Sequence, residues 1–324
     1  MKGIPLSFNL HNAGFANQLL SIETILGISY ILQRPCIVYN TTCCVHHKQE
    51  KTINEYLNIP YNITFKKEQI PNKEIFIDFH SHVFYTESTF DDSNFRCNRN
   101  ILYPEKFNKI RYVYNTGFGI YSSFFCGTRV NEIKFLLKLI KFNDEILVLR
   151  DKLLSKFNKF NALHIRKGDF KHFSPVCNYI NSITVETIDY DIEKNFKKDI
   201  PIIIFTDDKS FYLSLKQKIT DYKLIYFDDI AKFYTKSKDL ISLLSLLIAS
   251  ESENFLGTWG STFTGLIHRY RILNNKENNF LFITDRVHIT DNVLPVGRPY
   301  SWNDKYYKRY GNSLYWMREW VECK

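Results

Sequence analysis

The opening forty residues constrain this chain more than any other feature. Residues 4–10 have the makeup of a short buried strand, and a tight turn with Ala13 and Gly14 follows. Residues 18–32 then place Leu19, Ile22, Leu26 and Tyr30 roughly on one face of a helix. Pro35 stops that helix, and residues 36–39 are apolar again. Two strands joined through a helix pair in parallel, because the crossover returns the chain to the same end of the sheet. The chain therefore begins as an α/β protein whose parallel sheet is covered by helices.

A second α/β series starts near Asn161. Residues 162–165, 202–205, 224–227, 254–256 and 280–283 read as strands, and 209–219, 240–250 and 261–273 as helices. Residues 132–157 read as one long helix or two, linking the halves, whereas 60–125 are aromatic-rich and show no period. A length of 324 residues suggests about two domains. The simplest architecture is two Rossmann-like domains, 1–158 and 159–297, facing a ligand cleft. A Trp- and Tyr-rich tail, 298–324, is placed to pack back on the first domain.

The formal net charge of +9 makes a polyanion partner worth weighing. The basic residues are dispersed, however, and the nearest thing to a run, Lys305 to Arg309, is broken by two tyrosines. No stretch approaches the roughly 20 apolar residues of a membrane span. The N-terminus lacks the apolar core of a secretory signal. The seven cysteines have no framework spacing, so free thiols are expected. The sequons at Asn40 and Asn62 are then expected to stay unmodified, and the expected compartment is the cytoplasm.

Three segments carry chemistry. His164-Ile165-Arg166-Lys167-Gly168-Asp169 sits where a buried strand ends, the place where open α/β sheets bind ligands. A planar, permanently charged guanidinium suits a diphosphate there, and Gly168 suits close backbone approach. The bland reading is a surface histidine with an Arg166–Asp169 ion pair. The second segment, Gly257 to Gly265, follows a strand and opens a helix at Ser261 and Thr262. It is either an anion site or an ordinary N-cap. The third, Ala13-Gly14-Phe15-Ala16-Asn17-Gln18, is a glycine turn before the first helix, or only a capping loop.

Together and in this order the segments resemble the GDP-fucose O-fucosyltransferase superfamily, which includes α1,2- and α1,6-fucosyltransferases. The family's G-x-x-N-Q loop reads Gly14 to Gln18 here, and its H-x-R-x-x-D motif reads His164 to Asp169. Its T-D strand end reads Thr206-Asp207, and its F-I-G…S-T-F…R-x-R element runs from Phe255-Leu256-Gly257 through Ser261-Thr262-Phe263 to Arg269-Tyr270-Arg271. The resemblance covers the first forty residues and most of 160–273. It implies a two-domain GT-B fold and inverting transfer of fucose from GDP-fucose to a hydroxyl of a glycan or protein, with no metal or other cofactor. It further implies that Arg166 holds the β-phosphate and aids departure of GDP. His164 and Asn17 join Arg166 in the catalytic set. Gly14, Phe15, Asp169, Asp207, Ser261, Thr262 and Phe263 line the donor.

Two departures stand out. The loop before the first helix offers neither the Glu nor the Arg that some relatives place there as base or phosphate ligand. The acid that reads guanine in many relatives lies twelve residues before the F-I-G glycine; here that position is Ser245, with Asp239 six residues earlier. A xylosyl or rhamnosyl nucleotide is therefore an alternative donor. Metal-dependent chemistry would draw on Asp91-Asp92, Asp207-Asp208 or Asp228-Asp229, and a zinc site on Cys43, Cys44, His46 and His47, whose spacing is poor for a tetrahedron. A nucleic-acid-binding protein using the 298–320 tail and a lectin-like relative without activity complete the alternatives.

Overall fold

The computed structural model describes residues 5–10, 14–39, 52–59, 63–66, 76–78, 112–114, 138–168, 183–258, 261–276 and 278–282. They form two compact units, one within residues 1–147 and one within 148–317.

In the first unit, β1 (Leu6–Asn9), α1 (Phe15–Leu32) and β2 (Cys36–Tyr39) make the expected βαβ unit. β1 and β2 are parallel, with Leu6 opposite Cys36 and Asn9 opposite Tyr39. The unit continues through β3 (Leu57–Asn58), β4 (Ile63–Phe65), β5 (Phe76–Asp78), β6 (Tyr112–Tyr114) and β7 (Lys141–Phe142). The main sheet is wholly parallel, in the order β4-β2-β1-β6-β5. Leu6, Ser7 and Phe8 are all buried, as a central strand covered on both faces requires.

Helix α1 starts at Phe15, three residues earlier than expected, so Asn17 lies in its first turn rather than in the loop before it. Of its predicted apolar face, Leu19, Ile22 and Leu26 are fully buried and Tyr30 is half-buried. It ends in Gln33, whose left-handed backbone (φ 52°) is steadied by its own side chain donating to the Tyr30 carbonyl at 2.7 Å. Of the one or two helices expected over 132–157, a single continuous helix is excluded. Within the described part of that stretch, residues 138–139 are helical, β7 then pairs antiparallel with β3, and Asp144–Leu154 forms the helix α2. Asn143 is the stop: its Oδ1 accepts from Ile146 N (3.1 Å) and so opens a new helix instead of continuing an old one.

The second unit holds β8 (Asn161–Ile165), α3 (Val185–Asn195), β9 (Ile202–Thr206), α4 (Lys209–Lys218), β10 (Leu224–Tyr226), α5 (Phe227–Ala231), α6 (Lys238–Ser250), β11 (Phe255–Thr258), α7 (Thr262–Leu273) and β12 (Asn279–Phe282). Its five strands are parallel in the order β10-β9-β8-β11-β12. The chain thus builds outward from β8 in one direction, then returns and builds outward in the other. Between β8 and β11 the order reverses, and the carboxyl ends of strands at such a point are where open α/β sheets bind ligands. Every residue of β8 and β9 is buried, and α6 contributes Leu243, Leu244, Leu246 and Ile248 to the core at roughly 1.5–3 kcal/mol each.

Two features of this unit lie outside the sequence expectations. Helix α3 was not expected, although Thr184 caps it reciprocally with Thr187 and Ile188 and Ile192 face the core one turn apart. Strand β11 runs two residues further than expected, so Gly257 and Thr258 belong to the sheet and not to a loop. A Cβ on Gly257 would collide with the Thr264 methyl and lie 2.9 Å from the Phe255 ring. The glycine therefore lets α7 pack directly on β11. At the other end of α7, fully buried Arg271 binds the Ser252 carbonyl (2.6 Å) and Ser252 Oγ (2.7 Å), the Glu253 carbonyl (3.2 Å) and Asn279 Oδ1 (2.5 Å). It ties the helix to the amino ends of β11 and β12, and burial pulls its pKa down to about 10. No described helix is long and apolar enough to cross a membrane.

Candidate functional site

The His164–Asp169 and Gly257–Gly265 segments leave neighbouring strands at the reversal point. His164 lies opposite Gly257 in the β8–β11 register. One residue beyond the ladder, Thr258 takes over. Its Oγ1 accepts from Arg166 N at 2.9 Å and donates to the His164 carbonyl at 3.0 Å. A side-chain hydroxyl thus replaces the backbone partner that Arg166 and His164 lose as the strands part.

Asp207, at the end of β9, organises the loop after β8. Its Oδ1 accepts from both Lys167 N and Gly168 N at 2.9 Å, and its Oδ2 pairs with Arg166 Nη1 at 2.9 Å. A Cβ on Gly168 would sit 2.8 Å from that Oδ2, so the glycine here admits a carboxylate of the protein itself. Arg166 thus pairs with an acid at the end of the next strand, whereas Asp169, its partner in the bland reading, lies outside the described residues. Arg166 keeps 26% of its side chain exposed and Asp207 25%. Lys167 is drawn away, donating to the Ile183 carbonyl with its Nζ 4.4 Å from the Phe211 ring centroid.

His164 is buried. Its Nδ1 is 2.7 Å from Thr264 Oγ1, and its ring lies 5.1 Å from that of Phe263 at 35°. Burial, with Arg166 nearby, pushes its pKa down to about 3. The imidazole is therefore neutral at neutral pH and can offer a hydrogen bond, but it is too weak a base to take up a proton there. If the Thr264 hydroxyl donates to Nδ1, the ring proton resides on Nε2. Ser261, buried ahead of α7, accepts from Gly265 N at 3.1 Å, while Thr262 and Phe263 open the helix half-buried. The first-turn amides of α7 face the carboxyl edge, the electropositive end of a helix.

Other sequence candidates have different surroundings. Gly14 immediately precedes α1, Phe15 is buried with its ring edge-on to Tyr56 at 6.5 Å, and Asn17 Oδ1 is buried in the first unit. Ser245 bonds its own helix, donating to the Ile241 carbonyl at 2.8 Å. Asp239 is buried in the first turn of α6, roughly 1.7 turns nearer the carboxyl edge. Asp208 caps α4 through Phe211 N (3.1 Å). Asp228 and Asp229 lie in the first turn of α5, with Asp229 3.0 Å from Lys209 Nζ. Among the described residues no cluster of three His, Cys, Asp or Glu could hold a metal ion. Asp91, Asp92, Cys43, Cys44, His46, His47 and the 298–324 tail lie outside them. Sequence reasoning missed Thr258 and Thr264. Both stood inside a noted segment, but their partners are 92 and 100 residues away.

Solved fucosyltransferases share the fold of this chain. The crystal structure of fucosyltransferase NodZ from Bradyrhizobium aligns over 90% of this chain and 100% of its own, with a TM-score of 0.56 and 10% identity. POFUT1 in complex with GDP-fucose aligns over 86% of this chain and 98% of its own (TM-score 0.53, 13% identity). A mutant of Arabidopsis thaliana FUT1 in complex with GDP aligns over 86% and 70% (TM-score 0.50, 10% identity). No protein-family model matches the chain, and no curated protein matches it in sequence.

Proposed function

We propose that the chain is an inverting, metal-independent glycosyltransferase of GT-B architecture that moves fucose from GDP-fucose to a hydroxyl of a glycan or protein. The observation that carries this reading is Arg166: a guanidinium held on a strand-end loop at the reversal point, beside the start of α7, in a chain with a fucosyltransferase fold. The 159–297 domain then binds the donor. As the glycosidic bond breaks, charge accumulates on the diphosphate. A fixed guanidinium and the first-turn amides of α7 meet that charge without reorganising. Asp207 and Asp208 already bind protein donors, so the counter-charge in this reading is arginine and not a carboxylate-held cation. His164 supplies a neutral hydrogen-bond donor, and the 1–158 domain supplies Asn17, which serves the phosphates and sugar of the donor, together with most of the acceptor surface.

A second donor merits testing because Ser245 offers no carboxylate to a guanine. Asp239 is the nearest acid on the same helix. A thermal-shift panel decides between them, since a ligand that binds only the folded state raises its stability. GDP and GDP-fucose should raise the melting temperature more than UDP, UDP-xylose or a rhamnosyl nucleotide. A clear UDP preference refutes the fucosyl reading and leaves the transferase reading standing.

A further inference from the structure

We propose that Asp207 is a positioning residue for Arg166 and not a ligand of the donor, an inference that rests on the transferase reading above. The carboxylate acts on two sides. Oδ1 gathers two consecutive backbone amides, those of Lys167 and Gly168, and so fixes the loop that carries Arg166. Oδ2 takes Arg166 Nη1 and so fixes the plane of the guanidinium. The absence of a side chain on Gly168 is what admits this arrangement. A guanidinium has five donors in a rigid fork, so anchoring one corner aims the others. A carboxylate at this place also repels an incoming diphosphate. Its effect on ground-state binding is thus opposite in sign to its effect on alignment.

That opposition separates the two roles. Asp207→Asn keeps an oxygen for the two amides but turns a donor toward Nη1; Asp207→Ala removes both functions. The wild type, Asp207→Asn and Asp207→Ala are compared by calorimetry with GDP and with inorganic pyrophosphate, by steady-state transfer or donor hydrolysis, and by amide hydrogen exchange. Asp207→Asn should bind GDP and pyrophosphate as tightly as wild type or several-fold more tightly. Its kcat should fall at least tenfold with little change in KM, and the Lys167 and Gly168 amides should stay protected. Asp207→Ala should lose that protection. An Asp207→Asn variant with tenfold weaker GDP binding makes the carboxylate a donor ligand and overturns the proposal, as does an unchanged kcat. A wild type that binds pyrophosphate but ignores GDP removes the nucleotide assignment and leaves the positioning role in place. Binding of neither probe overturns both.

Discussion

Thr264→Val tests the arrangement around His164. Valine keeps the shape of threonine, so the packing of the methyl against Gly257 survives, while the hydroxyl 2.7 Å from His164 Nδ1 is lost. Both residues are buried, with Thr264 fully so, and solvent cannot replace the hydroxyl. A buried ring nitrogen left unpaired costs about 1–3 kcal/mol, which already includes the modest net worth of the bond itself. For a unit within residues 148–317, roughly 2–4 °C per kcal/mol gives a fall in melting temperature of ~2–12 °C. Thr264→Ser is the control, since it keeps the hydroxyl and gives up a methyl worth about 0.8 kcal/mol. Circular-dichroism melts give the stability of each variant, and nitrogen NMR of the His164 ring reports its tautomer. The valine variant should melt lower and lose the tautomer preference; the serine variant should keep it. A valine variant that melts within about 1 °C of wild type, with an unchanged ring spectrum, refutes the claim that Thr264 fixes this histidine.

Four further outcomes follow from the same geometry. Arg166→Lys should lower kcat by about 100- to 1,000-fold with little change in melting temperature, because an ammonium keeps the charge but not the fork; a near wild-type rate in steady-state kinetics removes the residue from the mechanism. His164 has a folded pKa of about 3 against an ordinary 6.5, so below pH ~6.5 protons bind the unfolded chain first. Its contribution is intact above that pH and drains away by up to about 1.4 kcal/mol per pH unit down to about 3, so His164→Gln should show a shallower loss of stability between pH 7 and 5 in urea titrations. Arg271→Met should cost about 3–5 kcal/mol, because the Ser252 and Glu253 carbonyls and Asn279 lose a buried partner, and chemical denaturation measures it. Transfer should persist in EDTA; complete loss restored by manganese or magnesium redirects attention to the aspartate pairs.

The alternation of strands and helices was legible because apolar runs and helical periods are local. The β1–α1–β2 unit and the strands of the second sheet stand close to where the sequence puts them. Local patterns also misled. Gly257 looks like the first residue of a loop, yet it lies inside β11, because what demands a glycine there is Thr264, seven residues later on a helix that packs over the strand. Residues 132–157 look helical until β7 pairs with β3, a contact between segments more than eighty residues apart. The Arg166 motif was visible as a pattern, but nothing near it in sequence announces that Asp207 holds its loop. That information is carried by strand order, which places β9 beside β8.

Helix α7 has the character of a ruler. Thr264 touches His164 near its start and Arg271 is clamped near its end, seven residues on, which is close to two full turns. Both side chains therefore project from the same side of the cylinder, about 10 Å apart along its axis. Inserting or deleting one residue between them would rotate one end by about 100° against the other. The helix could then satisfy the clamp or the histidine, but not both. Transplanting α7 from another protein into this scaffold would succeed only if the donor segment preserved that interval, whatever else its sequence contained.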